Sequence, residues 1–235
     1  MEKKEPGAGT LASAPQDLAR RYRYLFFDWD GCLADTLPFW LEGYRELLGR
    51  RGLHPPDRVI LRELFNDWAG PQRFGVPDAA RFVEEMAGYL ESHTDGVRLN
   101  PYAAEVLREL KARGNCTALL TASRRRLVRP VMEAYGIGGL LDLVLTVEDV
   151  QRHKPDPEVL FKALELLGAS AGQALLVGDS DKDLRAGKAA GVATALYLPA
   201  HNLRFYDEAE LRSWRPDYVI RDFRELLPQS EWRSP

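Results

Sequence analysis

The sequence predicts an α/β protein: a parallel sheet with helices on both faces, carrying an all-helical insert after its first strand. Three observations point there. From residue 103 onward, short apolar runs alternate with amphipathic stretches of helical period. Those stretches close on Gly114, Gly136, Gly168 and Gly191, the residue type that ends helices most readily. Between residues 38 and 97 the pattern is helical throughout, with no strand-like run.

Taken in order, residues 1–20 are rich in Ala, Gly, Ser and Pro and read as a disordered lead-in. They have no apolar h-region and carry acidic residues, so neither a secretory signal nor an organellar transit peptide is expected. Tyr22–Phe27 is an apolar run that suits a buried strand. The insert, residues 38–97, shows helical spacing at Phe39-Trp40, Tyr44 and Leu47-Leu48, and again at Phe82-Val83, Met86 and Leu90. Pro55-Pro56, Gly70-Pro71 and Gly75–Pro77 punctuate it.

After the insert the spacing predicts helices over Ala103–Arg113, Leu127–Tyr135, Glu158–Leu167 and Asp181–Ala190. It predicts strands over Cys116–Leu120, Leu143–Val147, Ala174–Val177 and Ala193–Leu198, then a short strand Tyr218–Ile220 and helix Phe223–Leu227. Such alternation is the signature of a Rossmann-like parallel sheet. The core is therefore expected from residues 21–37 and 98–228, with 229–235 a tail.

Composition narrows the function. The 235 residues are 45% hydrophobic and 29% charged with a net charge of −3, an ordinary globular balance that suggests no nucleic-acid partner. No apolar run approaches the roughly 18 residues of a membrane span. Only Cys32 and Cys116 are present, so no disulfide framework or C-x-x-C zinc site is indicated, and a reducing cytoplasm is expected. Cys32 reads as a small buried side chain.

In parallel sheets, ligands bind outside the carboxyl ends of the strands. Asp28 and Asp30 follow the first strand, Thr121 the second, Glu148 and Asp149 the third with Lys154 a little later, and Asp179 the fourth with Asp183 one turn on. Two aspartates one residue apart repel unless a positive charge lies between them. Oxygen-rich carboxylate clusters suit Mg²⁺. A calcium loop starting at Asp28 would need glycine and glutamate where Leu33 and Phe39 stand, so that reading fails.

Phe27-Asp28-Trp29-Asp30-Gly31-Cys32-Leu33-Ala34-Asp35-Thr36 resembles the first motif of the haloacid dehalogenase-like (HAD) hydrolase superfamily. Thr121 after its strand resembles the second motif and Lys154-Pro155-Asp156-Pro157 the third. Val177-Gly178-Asp179-Ser180-Asp181-Lys182-Asp183 and the residues to Gly187 resemble the fourth. Order and spacing match over about residues 22–227, and the members closest in appearance are phosphoglycolate phosphatase-like and sugar-phosphate mutase-like proteins with a helical cap.

The resemblance implies a Mg²⁺-dependent phosphatase acting on a small phosphorylated metabolite through an aspartyl-phosphate. Asp28 would be the nucleophile and Asp30 the general acid and base. Mg²⁺ would be held by Asp28, the Asp30 backbone carbonyl and Asp179. Thr121 would bind a phosphoryl oxygen, with Ala122 beside it at a position where many relatives carry asparagine. Lys154 would stabilise the phosphoryl charge, and Asp183 would orient Lys154 or a metal-bound water. The second aspartate favours phosphoryl transfer over dehalogenation. Alternatives are a phosphomutase and a phosphoaspartate regulatory module of the receiver type. A monomer or homodimer is expected.

Cap residues carry no motif. Trp40, Tyr44, Asn66, Trp68 and Arg73 are conceivable specificity residues, Arg73 the best polar candidate for substrate contact, while Trp40 and Tyr44 suit packing better. Arg124-Arg125-Arg126 opens a helix where cations oppose the helix dipole. The run reads first as a solvated basic face; the alternative is that one of the three faces the substrate or a cap carboxylate.

Overall fold

Tyr24–Phe27 forms a strand, β1, whose four residues are all buried. An apolar run without polar alternation is what a strand covered on both faces requires. The computed structural model, which describes residues 17–65 and 69–228, places β1 at the centre of a six-stranded parallel sheet. The other strands are β2 (Cys116–Leu120), β3 (Leu143–Leu145), β4 (Ala174–Gly178), β5 (Ala193–Tyr197) and β6 (Tyr218–Ile220), in the spatial order β3-β2-β1-β4-β5-β6. Tyr24 is level with Cys116 on one side and Ala174 on the other. The strand order reverses direction between β1 and β4, which opens a crevice at their carboxyl ends.

Successive β1 side chains feed opposite layers, as a period of two demands. Leu25 and Phe27 pack into a cluster with Val106, Leu107 and Leu110 of α6 (Ala103–Ala112) and Val128 and Val131 of α7 (Arg125–Ala134). Tyr24 and Phe26 pack against Leu160 and Ala163 of α8 (Glu158–Leu167) and Ala186 and Ala190 of α9 (Asp181–Ala190). A short helix α10 (Glu208–Ser213) precedes β6.

The lead-in expectation is corrected at its end. Leu18–Arg21 forms one helical turn, α1, whose N-terminus is capped by the Asp17 carboxylate, and Leu18 and Ala19 are buried in the core. Asn115 Nδ2 ties it down through the carbonyls of Ala19 and Tyr22, at 2.7 and 2.9 Å. Two apolar residues are too few to register as a period. Residues 1–16 and the expected tail 229–235 lie outside the described residues.

The block between β1 and α6 is helical: α2 (Leu37–Gly49), α3 (Asp57–Glu63), α4 (Gly70–Arg73) and α5 (Ala79–Glu91). It has its own core of Tyr44, Leu47, Leu48, Ile60, Leu64, Phe82, Met86 and Leu90. Its two connections to the sheet run side by side. Ala34 bridges Leu99 in antiparallel fashion, Asp35 N donates to Arg98 O at 2.9 Å and Asn100 N to Leu33 O at 2.9 Å. Among the described residues no helix is long and apolar enough to cross a membrane.

Candidate active site

The strand ends converge as the topology requires. Asp28, Asp30, Ala122, Ser123, Lys154, Asp179, Ser180 and Lys182 line one cavity. Lys154 is its electrostatic hinge: its buried ammonium lies 2.8 Å from Asp28 Oδ1 and 2.6 Å from Asp183 Oδ1, and donates to Leu120 O at 3.0 Å. Asp183 sits under the cavity rather than in it. Its Oδ2 accepts from Ser180 N and Oγ, the capping box of α9, while Oδ1 takes the lysine.

Asp28, Asp179 and Asp183 offer carboxylate oxygens that all lie within 4.8 Å of one another. Three buried carboxylates gather around the buried ammonium of Lys154. Burial pushes the Asp28 carboxyl up, to about 7; Lys154 pulls it back, and Asp183 and Asp30 add to the rise. Burial likewise pushes Asp179 well up, with Asp183 and Asp28 adding to it. A clustered, oxygen-only, charge-deficient donor set of this kind fits a small hard dication.

Asp30 behaves differently from its neighbour two residues back. Its Oδ1 accepts from Thr36 Oγ1 at 2.7 Å and from Trp40 Nε1 at 2.8 Å, and its Oδ2 accepts from Ser123 Oγ. The side chain is thus held at the cavity wall by the first turn of α2 and by the residue two beyond Thr121. Its carboxylate is outside the three-carboxylate group that forms around Asp28 and Asp179.

Other expected residues take varied places. Ala122 lines the cavity, whereas Thr121 is buried beside it, its Oγ1 accepting the Ser123 N–H at 2.9 Å. Arg73 is not brought into the cavity. Its Nη2 donates to Glu63 O at 2.5 Å and its Nε lies 3.4 Å from Glu63 Oε2, because α4 folds back on the end of α3. Trp40 and Tyr44 do line the cavity, and Tyr44 is also a buried member of the insert core, so it serves both readings. Asn66 and Trp68 lie outside the described residues. Cys32 is fully buried, donates from Sγ to Val177 O at 3.4 Å, and burial raises its thiol well above the usual range.

The arginine run meets cap carboxylates. Arg124 immediately precedes α7 and donates from both terminal nitrogens to Glu84 of α5, and Arg126 lies 3.8 Å from Glu84 and 3.4 Å from Glu91. Arg125 pairs instead with Asp149, at 2.6 Å.

Ser123, Tyr206, Phe65 and Lys182 line the cavity and are residues that sequence reasoning missed. Ser123 could have been noticed as the next hydroxyl after Thr121 on the same strand end. Tyr206 had no signal: it follows a 3-10 turn over Ala200–Arg204, and its hydroxyl donates to Asp179 Oδ2 at 2.8 Å.

Gly31 explains how the first loop can approach Asp179. Its φ is +69°, and a Cβ built there would lie 2.0 Å from Asp179 Oδ2. Gly31→Ala is expected to lower stability by about 1–3 kcal/mol in urea unfolding, from left-handed strain together with displacement of the carboxylate. A loss below a few tenths would show that the loop and Asp179 shift apart freely.

A family model described as haloacid dehalogenase-like hydrolase matches residues 25–197. The chain is 30% identical over 215 residues to the pyrophosphatase PpaX of Bacillus cereus strain G9842, covering 88% of this chain and 96% of that one. Among solved structures it resembles CbbY from Rhodobacter sphaeroides in complex with phosphate, with a TM-score of 0.74, 21% identity, and coverage of 89% and 98%. It also resembles a predicted phosphoglycolate phosphatase from Haemophilus somnus 129PT, with a TM-score of 0.71, 23% identity, and coverage of 88% and 97%.

Proposed function

The chain belongs to the haloacid dehalogenase-like hydrolase family, and from that premise we propose that it is a Mg²⁺-dependent phosphatase of small phosphorylated metabolites, working through a phosphoryl group carried on Asp28. The observation that carries the reading is the placement of Asp28: a buried carboxylate at the cavity, its Oδ1 held by Lys154 and its neighbour across the cavity Asp179.

In the forward step an Asp28 oxygen bonds to phosphorus as the bond to the leaving oxygen breaks, and Asp30 gives that oxygen its proton. In the second step Asp30 takes a proton from water as the water oxygen displaces the Asp28 carboxylate, releasing inorganic phosphate. Thr36 and Trp40 both bond Asp30 Oδ1 and only Ser123 bonds Oδ2, so Oδ2 keeps a lone pair with which to serve the leaving oxygen. Lys154 carries positive charge to the phosphoryl oxygens while Asp183 holds it in place. Asp28, Asp179 and the Asp30 carbonyl would hold Mg²⁺, which supplies charge neutralisation on the phosphoryl group. The relatives' names place pyrophosphate and phosphoglycolate among the first compounds to assay.

The test is phosphate release from a panel of phosphorylated metabolites. Turnover with Mg²⁺ that EDTA abolishes supports the reading; no release from any member overturns it.

Two further outcomes follow. Mg²⁺ is expected to raise the melting temperature by several degrees at pH 8 and by less at pH 5.5, since a ligand that binds only the folded state stabilises by mass action. The sign comes from Asp28: with its carboxyl raised to about 7, protons compete for that site below neutrality and leave it above. Equal shifts at both pH values in differential scanning fluorimetry would count against Asp28 as a ligand. Separately, Arg124→Gln removes the main ion pair between α5 and α7. An exposed pair contributes up to about 1 kcal/mol, so KM is expected to rise about two- to fivefold with kcat changed less. An unchanged KM would leave Arg124 a surface feature.

A further inference from the structure

The lining of the cavity is of two chemical kinds. One comprises Asp28, Asp179 and Lys154, the groups assigned above to the phosphoryl group. The other comprises Leu37, Trp40, Tyr44, Phe65 and Tyr206. These aromatic rings run as a connected wall: Trp40 and Tyr44 lie 6.3 Å apart, Tyr44 and Phe65 5.9 Å, and Phe65 stacks on Phe205 of the core at 6.2 Å.

The polar tips of that wall are already committed. Trp40 Nε1 donates to Asp30, Tyr44 Oη donates to Leu64 O at 3.0 Å, and Tyr206 Oη donates to Asp179. What the wall offers a ligand is therefore π-face and hydrocarbon edge. Cations are scarce as well. Among the described residues the cavity is lined by only two, Lys154 and Lys182. Lys154 is held between Asp28 and Asp183, and Lys182 belongs to the first turn of α9, close in sequence to Asp179 and Ser180. The arginines near the wall in sequence are engaged elsewhere: Arg45 pairs with Asp57, Arg62 and Arg73 with Glu63, and Arg204 lies over the Phe205 ring, while Arg124 beside Ser123 pairs with Glu84. An anion placed against the wall would lose its hydration without gaining donors, an expensive exchange.

We propose that this aromatic lining takes an uncharged aromatic leaving group, so that the substrates are phosphate monoesters of aromatic alcohols rather than compounds whose leaving group carries a second phosphate or a carboxylate. The proposal rests on the phosphatase reading for the hydrolytic step, in which ester and water give alcohol and inorganic phosphate. The flat ring would lie on Phe65, Tyr44 and Tyr206 with its oxygen towards Asp30. Aromatic pairs of this kind add to simple area burial.

Benzyl phosphate and ethyl phosphate release primary alcohols, so the comparison avoids the activated leaving group of a nitrophenyl ester. With Mg²⁺ present, kcat/KM for benzyl phosphate is expected to exceed that for ethyl phosphate, and that for inorganic pyrophosphate, by at least tenfold. The benzyl-to-ethyl ratio is expected to fall towards one in Phe65→Ala and to fall less in Phe65→Leu. Isothermal titration of wild-type protein with benzylphosphonate and ethylphosphonate measures the same preference without turnover. A ratio near one in hydrolysis and in binding, or pyrophosphate cleaved faster than benzyl phosphate, overturns the proposal. Tenfold tighter binding of benzylphosphonate with no hydrolysis of any ester would uphold the aromatic subsite and overturn the assigned reaction instead.

Discussion

Asp28→Asn is expected to lower phosphate release by roughly four orders of magnitude or more, the scale seen when a covalent nucleophile is removed. The amide cannot displace the leaving oxygen, and it also withdraws one carboxylate from the cluster with Asp179 and Asp183. The fold should survive, because the substitution is isosteric and Asp183 still holds Lys154 at 2.6 Å. Steady-state phosphate release, together with a melting curve, checks both halves. Residual activity above about one per cent, on protein shown free of Asn deamidation, would mean that Asp28 does not attack phosphorus.

Lys154→Met is the second large effect, and it falls on stability as well as rate. Lys154 and Asp183 have side chains only 5% and 1% exposed. Removing one partner of a buried pair leaves an uncompensated charge and costs about 3–5 kcal/mol. The pH dependence has a definite sign. A carboxyl raised in the folded state binds more protons there than in the unfolded chain, so stability falls as pH rises from the unfolded value towards the folded one. Both proteins share that slope up to about 7, where the wild-type Asp28 begins to ionise beside its lysine. Without the lysine the folded Asp28 value moves higher still, so the variant keeps losing stability. Urea unfolding at pH 6 and pH 8.5 should therefore show the deficit widening at the higher pH. A deficit that narrows would place the dominant partner of Lys154 elsewhere.

Much of this arrangement was legible because a parallel sheet leaves little choice. Once β1, β2 and β4 were recognised as buried runs, the residues just past them had to meet. Asp28, Asp30 and Asp179 are therefore visible in sequence, as is Ala122. Lys154 was visible through its motif and Asp183 through its place one turn past Asp179. What stayed hidden depended on side-chain direction. Asp30 looks equivalent to Asp28 in sequence, yet Thr36, Trp40 and Ser123 turn its carboxylate to the cavity wall. Arg73 looked like a substrate contact because a lone arginine beside a break has no visible partner; folding supplies Glu63. Tyr206 reaches Asp179 across 27 residues of chain, a contact set by where the turn after β5 comes to rest, which no local pattern encodes. The arginine run was readable as a conflict with the helix dipole, and the carboxylates of α5 resolve that conflict for Arg124 and Arg126.

The paired connections at Ala34 and Leu99 have a consequence for how such a protein can change. Because the helical block leaves and rejoins the sheet at adjoining points, its length beyond Trp40 is nearly decoupled from the strands beneath. Lengthening a closed excursion raises its closure entropy only logarithmically. A foreign helical block grafted there has to carry over Thr36 and Trp40, which hold Asp30; with those two kept, the reaction chemistry should stand while the choice of what is admitted to it is exchanged.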